Sequence, residues 1–238
     1  WSLYKKRFEL NERYFFPDKI FINDSLAFEE AINSGIEREL LQIMGNPVLE
    51  YIKKKNYSNK EKLKWKEDLQ IHKEKKITTF ISESLREDFP KGSKDYQGFD
   101  EFDVLNDILI NLRNENVLIV KLHPEESKEK YNFLKIFPNI LIFEREDVGK
   151  LISFSDTLVG MGSMLLIEAA MTESNVYSYR PNEKISFVGN TNGMVKKINN
   201  TKELKAMLAL SKSSNNFKVI NKFKGSTSKI VQNLQSYL

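Results

Sequence analysis

An α/β protein built on a parallel sheet is the fold class this sequence predicts, on three observations. From residue 76 onward, short aliphatic and β-branched runs such as residues 77–82 and 117–122 alternate with helix-length segments. Two of these runs end in motifs suited to the carboxyl edge of such a sheet, His123-Pro124 and Gly160-Met-Gly-Ser163. The chain has 238 residues, of which 40% are hydrophobic, enough for one large or two modest cores.

Element by element, residues 17–23 read as a strand. Asp24 is placed to N-cap a helix that runs to about Asn33 and stops near Ser34-Gly35. After the apolar run 40–44, Gly45-Asn-Pro47 is a turn tripeptide leading into a helix. The lysine-dense tract from Lys53 to Lys76 reads as a helical connector. The regular alternation then gives a strand at 77–82, a helix at 99–114, a strand at 117–122, a polar helix near 127–135 and a strand at 140–143. Asp147 caps a short helix to Phe154, a strand follows at 157–159, a helix runs from Ser163 to about Met171, and residues 175–179 form another strand. Helices at 202–210 and 228–237 close the chain. Residues 85–98, with Pro90, Gly92 and Gly98, are expected to form a mobile loop beside the site.

Composition narrows the chemistry. The absence of cysteine excludes disulfides, thiolate nucleophiles and Cys-based zinc sites, and His72 and His123 are the only imidazoles, so no metal centre is expected. No apolar run approaches the roughly 20 residues that span a bilayer, and no signal peptide is visible, so a cytoplasmic protein is expected. The net charge of +4 is unevenly spread, with lysines concentrated after residue 53 and again after Thr201. Solvated helix faces explain this most simply, and attraction to an anionic membrane surface is the alternative. Nucleic acid is not an expected partner, because no arginine-rich or aromatic-interleaved motif accompanies the lysines. Trp1 has no methionine before it, so the sequence is expected to continue a longer chain.

The motif with the most chemical content is Val159-Gly-Met-Gly-Ser-Met-Leu-Leu-Ile-Glu-Ala-Ala170. Gly160 and Gly162 let backbone approach a ligand, Ser163 can cap the helix and offer a hydroxyl, and the first helical N–H groups, from Met164 on, favour an anion. Glu168 lies five residues beyond Ser163, about 7.5 Å along a helix axis, where a carboxylate could take ribose hydroxyls. His123 sits where a strand should emerge from the sheet, and Pro124 fixes the chain direction after it. Ser82, Glu83 and Arg86 follow the first strand of this half and could reach the same edge, as could Glu144 and Arg145 after the strand at 140–143. Solvated loop charges are the plainer reading of these last residues. His72 is expected to be solvated, and Asp156 and Glu173 to be caps.

Taken in order, Trp1-x-x-Tyr-x-x-Arg7-Phe8, Pro17-Asp-x-Ile, Gly45-Asn-Pro47, His123-Pro124 and Gly160-Met-Gly-Ser163 with Glu168-Ala resemble the C-terminal part of GT-B glycosyltransferases, in particular bacterial capsule and lipopolysaccharide glycosyltransferase-like proteins. That resemblance implies two Rossmann-like domains facing each other across a cleft, each a parallel sheet with helices on both faces. Residues 1–57 would be the end of the N-terminal acceptor-side domain plus linker, and 58–238 the nucleotide-donor domain. The His-Pro pair with a serine turn is also similar to bacterial sialyltransferases, polysialyltransferases and glycerophosphotransferases. It implies that His123 contacts and stabilises a leaving phosphate, that Ser163 holds phosphate, and that Glu168 binds ribose. Those enzymes carry paired serines where this chain has Gly162-Ser163, so the base stays open among CMP-, CDP- and UDP-linked donors. Arg180-Pro-x-Glu183 resembles nonhydrolysing UDP-N-acetylglucosamine 2-epimerases.

The resemblance therefore implies a metal-independent, cofactor-free transferase that moves a sugar or polyol phosphate from a nucleotide donor to a surface-glycan or lipid-linked acceptor. It would be cytoplasmic, with peripheral attachment to the inner face of the membrane as an alternative suggested by the lysines, and inactive without the rest of its N-terminal domain. An epimerase and a non-catalytic nucleotide-binding or assembly domain are the alternatives.

Overall fold

The computed structural model describes residues 5–52, 56–113, 115–172, 175–209 and 223–236. Trp1, Tyr4, Lys53 to Lys55, Glu173 and the expected helix ends at Asn114, Leu210 and Tyr237 lie outside the described residues. The chain divides into two units: residues 1–52 with 218–238, and residues 53–217.

In the first unit, β1 (Glu9–Leu10) and β2 (Arg13–Tyr14) form an antiparallel hairpin. Its two loop residues, Asn11 and Glu12, both have positive φ, of 50° and 62°. A two-residue turn of this hand matches the twist of paired strands, and Asn tolerates it well. β3 (Ile20–Ile22) lies parallel to β4 (Leu41–Ile43), with Ile20 opposite Leu41. Between them runs α1 (Ser25–Asn33), capped as the sequence predicts by Asp24, which accepts from the Ala27 N–H at 3.0 Å. Ile20, Ile22, Ala27, Ala31, Ile36 and Leu41 form this unit's core.

α2 (Pro47–Tyr51) is capped by Asn46 and opens with Pro47 at its first turn. Gly45 before it has φ +89°, and a Cβ there would come within 2.0 Å of Ser226 Oγ, so both backbone and space require glycine.

The second unit opens with α3 (Asn59–Asp68), started by a reciprocal capping box between Ser58 and Glu61. The elements then alternate: β5 (Lys76–Ile81), α4 (Leu85–Asp88), α5 (Glu101–Asn111), β6 (Asn116–Lys121), a 3₁₀ segment (Lys128–Ile136), β7 (Ile140–Phe143), α6 (Val148–Phe154), β8 (Thr157–Gly160), α7 (Met164–Ala170), β9 (Val176–Tyr179), α8 (Val188–Thr191), β10 (Lys196–Ile198) and α9 (Thr201–Ala209). All six strands are parallel, in the order β10-β9-β8-β5-β6-β7. The predicted parallel sheet is present.

Every residue of β6 is buried, which explains why its sequence is a continuous apolar run rather than an alternating one. Leu118 and Val120 face a core with residues of α5 and α9, among them Val104, Leu105, Ile108, Leu204 and Met207. Val117 and Ile119 face the opposite core, with Ile71, Ile77, Phe143, Leu151 and, packed against it, Trp65 of α3. Helices therefore cover both faces.

Three expectations are corrected. The polar helix near 127–135 is a 3₁₀ segment broken at Tyr131, which has φ −109° and ψ 16°. That ring is fully buried and its hydroxyl bonds Ser82 and Glu126, so tertiary packing overrides the helical pattern. The helix expected from 99 starts at Glu101 because Asp100 caps it, accepting from the Phe102 and Asp103 N–H groups.

The closing helix α10 (Ser226–Gln235) belongs with the first unit rather than with the 58–238 domain. The Glu50 carboxylate caps it, accepting from Gly225 N–H at 2.6 Å, Thr227 N–H at 2.8 Å and Thr227 Oγ1 at 2.9 Å. These hydrogen bonds, led by that of the Thr227 N–H, hold the Glu50 pKa below its usual value. No described helix is long and apolar enough to cross a membrane.

Candidate functional site

The strand order of the second unit reverses between β5 and β8: the chain proceeds from β5 to β6 and β7 on one side, then returns to build β8, β9 and β10 on the other. In open parallel sheets, ligands occupy the crevice outside the carboxyl ends of the strands at such a reversal. Register fixes what this chain puts there. Ile81 is opposite Lys121 and Gly160, and Gly160 is opposite Ser178, so these four residues form one row across the sheet. Two residues beyond that row, past the ends of the strands, stand Arg180, Gly162, Glu83 and His123, which follow β9, β8, β5 and β6 in that lateral order. Adjacent strands are about 4.8 Å apart, so the four strand ends that carry them span roughly 15 Å.

The four positions are coupled. The Gly162 N–H donates to Glu83 Oε1 at 2.6 Å. Burial raises the Glu83 pKa above the usual carboxylate value, against the opposing pull of the Gly162 N–H, Arg180, the Ser163 N–H and His123.

Arg180 is 7% exposed. Its guanidinium donates from Nε to Glu183 at 2.9 Å and from Nη2 to the Ile185 carbonyl at 2.5 Å, and it lies 5.1 Å from the Phe99 ring centroid. A Cβ on residue 162 would stand 2.7 Å from Arg180 Nη1, so the second glycine of the turn makes room for this cation.

The predicted residues fall into two groups. His123, Gly160, Gly162 and Ser163 come together at the switch point, with Pro124 exposed beyond His123. The His123 side chain is 39% exposed, and its backbone N–H donates to Glu126 Oε2 at 2.9 Å. Ser163 caps α7, its hydroxyl accepting from the Leu165 N–H at 3.2 Å. Met164 is exposed, and Glu168 is half-buried on α7, its carboxylate without a hydrogen-bond or ion-pair partner among the described residues.

The others are placed elsewhere. Ser82 is 1% exposed and turns away from the row, its hydroxyl bonded to Tyr131 at 2.7 Å and Glu126 at 3.1 Å. Glu144 pairs with Lys128 at 3.3 Å beyond the edge strand β7, and Arg145 is exposed there. The buried Lys121 ammonium holds that edge instead, donating to the Leu122 and Glu144 carbonyls.

Sequence reasoning missed two sets of residues. Arg180 was quoted only within a family motif, although an arginine directly after a fully buried strand is itself a signal. The second set is a buried network behind His123. Glu126 accepts from His123, Ser82, Tyr131 at 2.7 Å and Lys130 at 2.8 Å. Lys130 also pairs with Glu87 at 2.8 Å and Glu101 at 2.6 Å. Burial disfavours the Lys130 charge, but the hydrogen bonds to Glu101, Glu126 and Glu87 outweigh it, and its pKa is raised. Nothing in the local sequence pairs residues this far apart.

With this geometry in view, comparison by structure is informative. UDP-GlcNAc 2-epimerase from Methanocaldococcus jannaschii aligns at TM-score 0.55 and 14% identity, covering 93% of this chain and 62% of that one. Anabaena HepE in complex with UDP and glucose aligns at TM-score 0.61 and 12% identity, covering 93% and 63%. WaaG, a glycosyltransferase involved in lipopolysaccharide biosynthesis, aligns at 0.51 and 14%, covering 92% and 58%. The chain has a GT-B-type fold. It spans about three fifths of the length of each of these structures. Comparison by sequence matches no protein-family model and no curated protein.

Proposed function

We propose that the chain is the donor-binding part of a GT-B glycosyltransferase that moves a sugar, or a related polyol phosphate, from a CMP-, CDP- or UDP-linked donor to a surface-glycan or lipid-linked acceptor. The observation that carries this reading is the row Arg180, Gly162, Glu83 and His123 at the carboxyl ends of four strands flanking the switch point. Arg180 and His123 flank the glycine turn with donors suited to phosphate oxygens, and the Glu168 carboxylate, without a partner among the described residues, suits a ribose diol. When the glycosidic bond to phosphate breaks, negative charge grows on the leaving nucleotide. Arg180, His123 and the Ser163 hydroxyl would stabilise that charge without a metal. The acceptor and the catalytic base would be held by an N-terminal domain beyond this sequence, at the inner face of the membrane.

The alternative reading is a nucleotide-sugar 2-epimerase, favoured by the Arg180 to Glu183 ion pair within the motif that resembles those enzymes. A melting screen against CMP, CDP, UMP, UDP, GDP and ADP tests the shared part of both readings. A selective nucleotide at one hundred times its Kd stabilises the fold by about 2.7 kcal/mol. No shift with any of the six would refute it. Release of free nucleotide by the longer protein in the presence of acceptor separates transferase from epimerase.

A further inference from the structure

Glu83 is the one acidic group in a row otherwise made of a guanidinium, an imidazole and a glycine amide. It lies between Gly162 and His123 and holds the Gly162 N–H, within the glycine turn beside which the proposed function seats a phosphate. An amide has one proton to donate, so a carboxylate and a phosphate oxygen cannot both take it in good geometry. The diphosphate ester of a nucleotide sugar also brings two negative charges to within a few ångströms of the carboxylate, and like charges so close favour protonation of the weaker acid.

Resting on the nucleotide-donor reading, we propose that Glu83 is a built-in competitor of the donor: the donor phosphate displaces its carboxylate from the Gly162 amide, and the displaced carboxyl takes up one proton. The proton comes from solvent and no covalent bond changes. The titratable groups facing Glu83 are the Arg180 guanidinium from the end of β9 and the His123 imidazole from the end of β6, and Arg180 is itself held by Glu183. Burial already favours the neutral form of Glu83, so the exchange completes a tendency present in the ligand-free protein. Once protonated, the carboxyl becomes a donor and can hydrogen-bond the phosphate that replaced it. Glu83 thereby sets the pH dependence of donor affinity.

The test is calorimetric titration with UDP-glucose, whose diphosphate ester has no group of its own titrating near neutrality. Heats measured in two buffers of different ionisation enthalpy give the number of protons taken up. Wild type should take up more protons than Glu83→Gln, by up to about one per donor bound, and its affinity should fall by up to about ten-fold per pH unit more steeply. Any contribution of His123 remains in Glu83→Gln and is removed by His123→Asn. Equal proton uptake by wild type and Glu83→Gln, or weaker binding by Glu83→Gln at pH 8, overturns the inference while leaving the donor site intact.

A second measurement needs no nucleotide. The Gly162 amide resonance should titrate in wild type and not in Glu83→Gln, and an amide indifferent to the substitution overturns the inference. Absence of UDP-glucose binding by either protein, with a titrating amide, overturns the displacement together with the UDP form of the donor reading.

Discussion

Replacing Glu126 by glutamine should destabilise the second unit by about 2–4 kcal/mol. The carboxylate is 1% exposed and accepts from four donors: the His123 N–H on Oε2, and Ser82 Oγ, Tyr131 Oη and Lys130 Nζ on Oε1. Glutamine keeps the volume but turns one acceptor into a donor. The least costly orientation points the new NH₂ at the His123 N–H, losing one charge-assisted bond worth about 1.5–3 kcal/mol and facing donor with donor. The loss of charge also leaves the buried Lys130 with two carboxylates instead of three.

Urea unfolding followed by Trp65 fluorescence, in a Trp1→Phe background, reports on this unit because Trp65 packs on Phe143 and Phe154. Lys130→Met alone should cost about 3–5 kcal/mol, since it removes the cation from two buried carboxylates, Glu101 and Glu126. The double substitution should cost less than the sum of the two. A loss below about 0.5 kcal/mol for Glu126→Gln, or strict additivity with Lys130→Met, would refute the account of a single coupled network.

Gly45→Ala should cost at least about 2 kcal/mol in thermal unfolding, from the left-handed φ and the 2.0 Å approach to Ser226 Oγ, and a neutral result would contradict the packing described. Because the folded pKa of Glu50 lies below its unfolded value of about 4.5, the group stabilises the fold above that pH and loses its contribution as pH falls through the folded pKa. Glu50→Gln should therefore lower Tm at pH 7 and match wild type at pH 2; equal penalties at both pH values would exclude the charge as the cause. Glu168→Ala should weaken binding of a ribonucleotide more than of its dideoxy analogue, and equal losses would remove the ribose role.

What the sequence revealed depends on how local the cause is. The strands β5 to β9 were legible because a buried parallel strand must be a continuous apolar run of limited length, and the caps Asp24, Asp147 and Ser163 were legible because each acts within three residues of itself. The hairpin through Asn11 and Glu12 was missed because neither residue is glycine, and the strand Leu41–Ile43 because three residues show no period. Tyr131 breaks its helix for a partner 49 residues away, and the C-terminal helix joins the first unit through Glu50, 175 residues from Gly225. At the site, His123 and the Gly160 to Ser163 turn were visible as strand-end motifs. Ser82 was placed at the right strand end, but its side chain turns to Tyr131, and no pattern in six residues could show that.

On the proposed function, a nucleotide donor binds at the carboxyl ends of β5, β6, β8 and β9. The most direct measurement is a crystal structure of the protein with UDP-glucose bound. Diphosphate oxygens should lie within hydrogen-bond distance of the Gly162 amide and Arg180, with the ribose toward Glu168 and the Glu83 carboxyl displaced from Gly162. UDP-glucose seated elsewhere, with Glu83 still on the Gly162 amide, would contradict it.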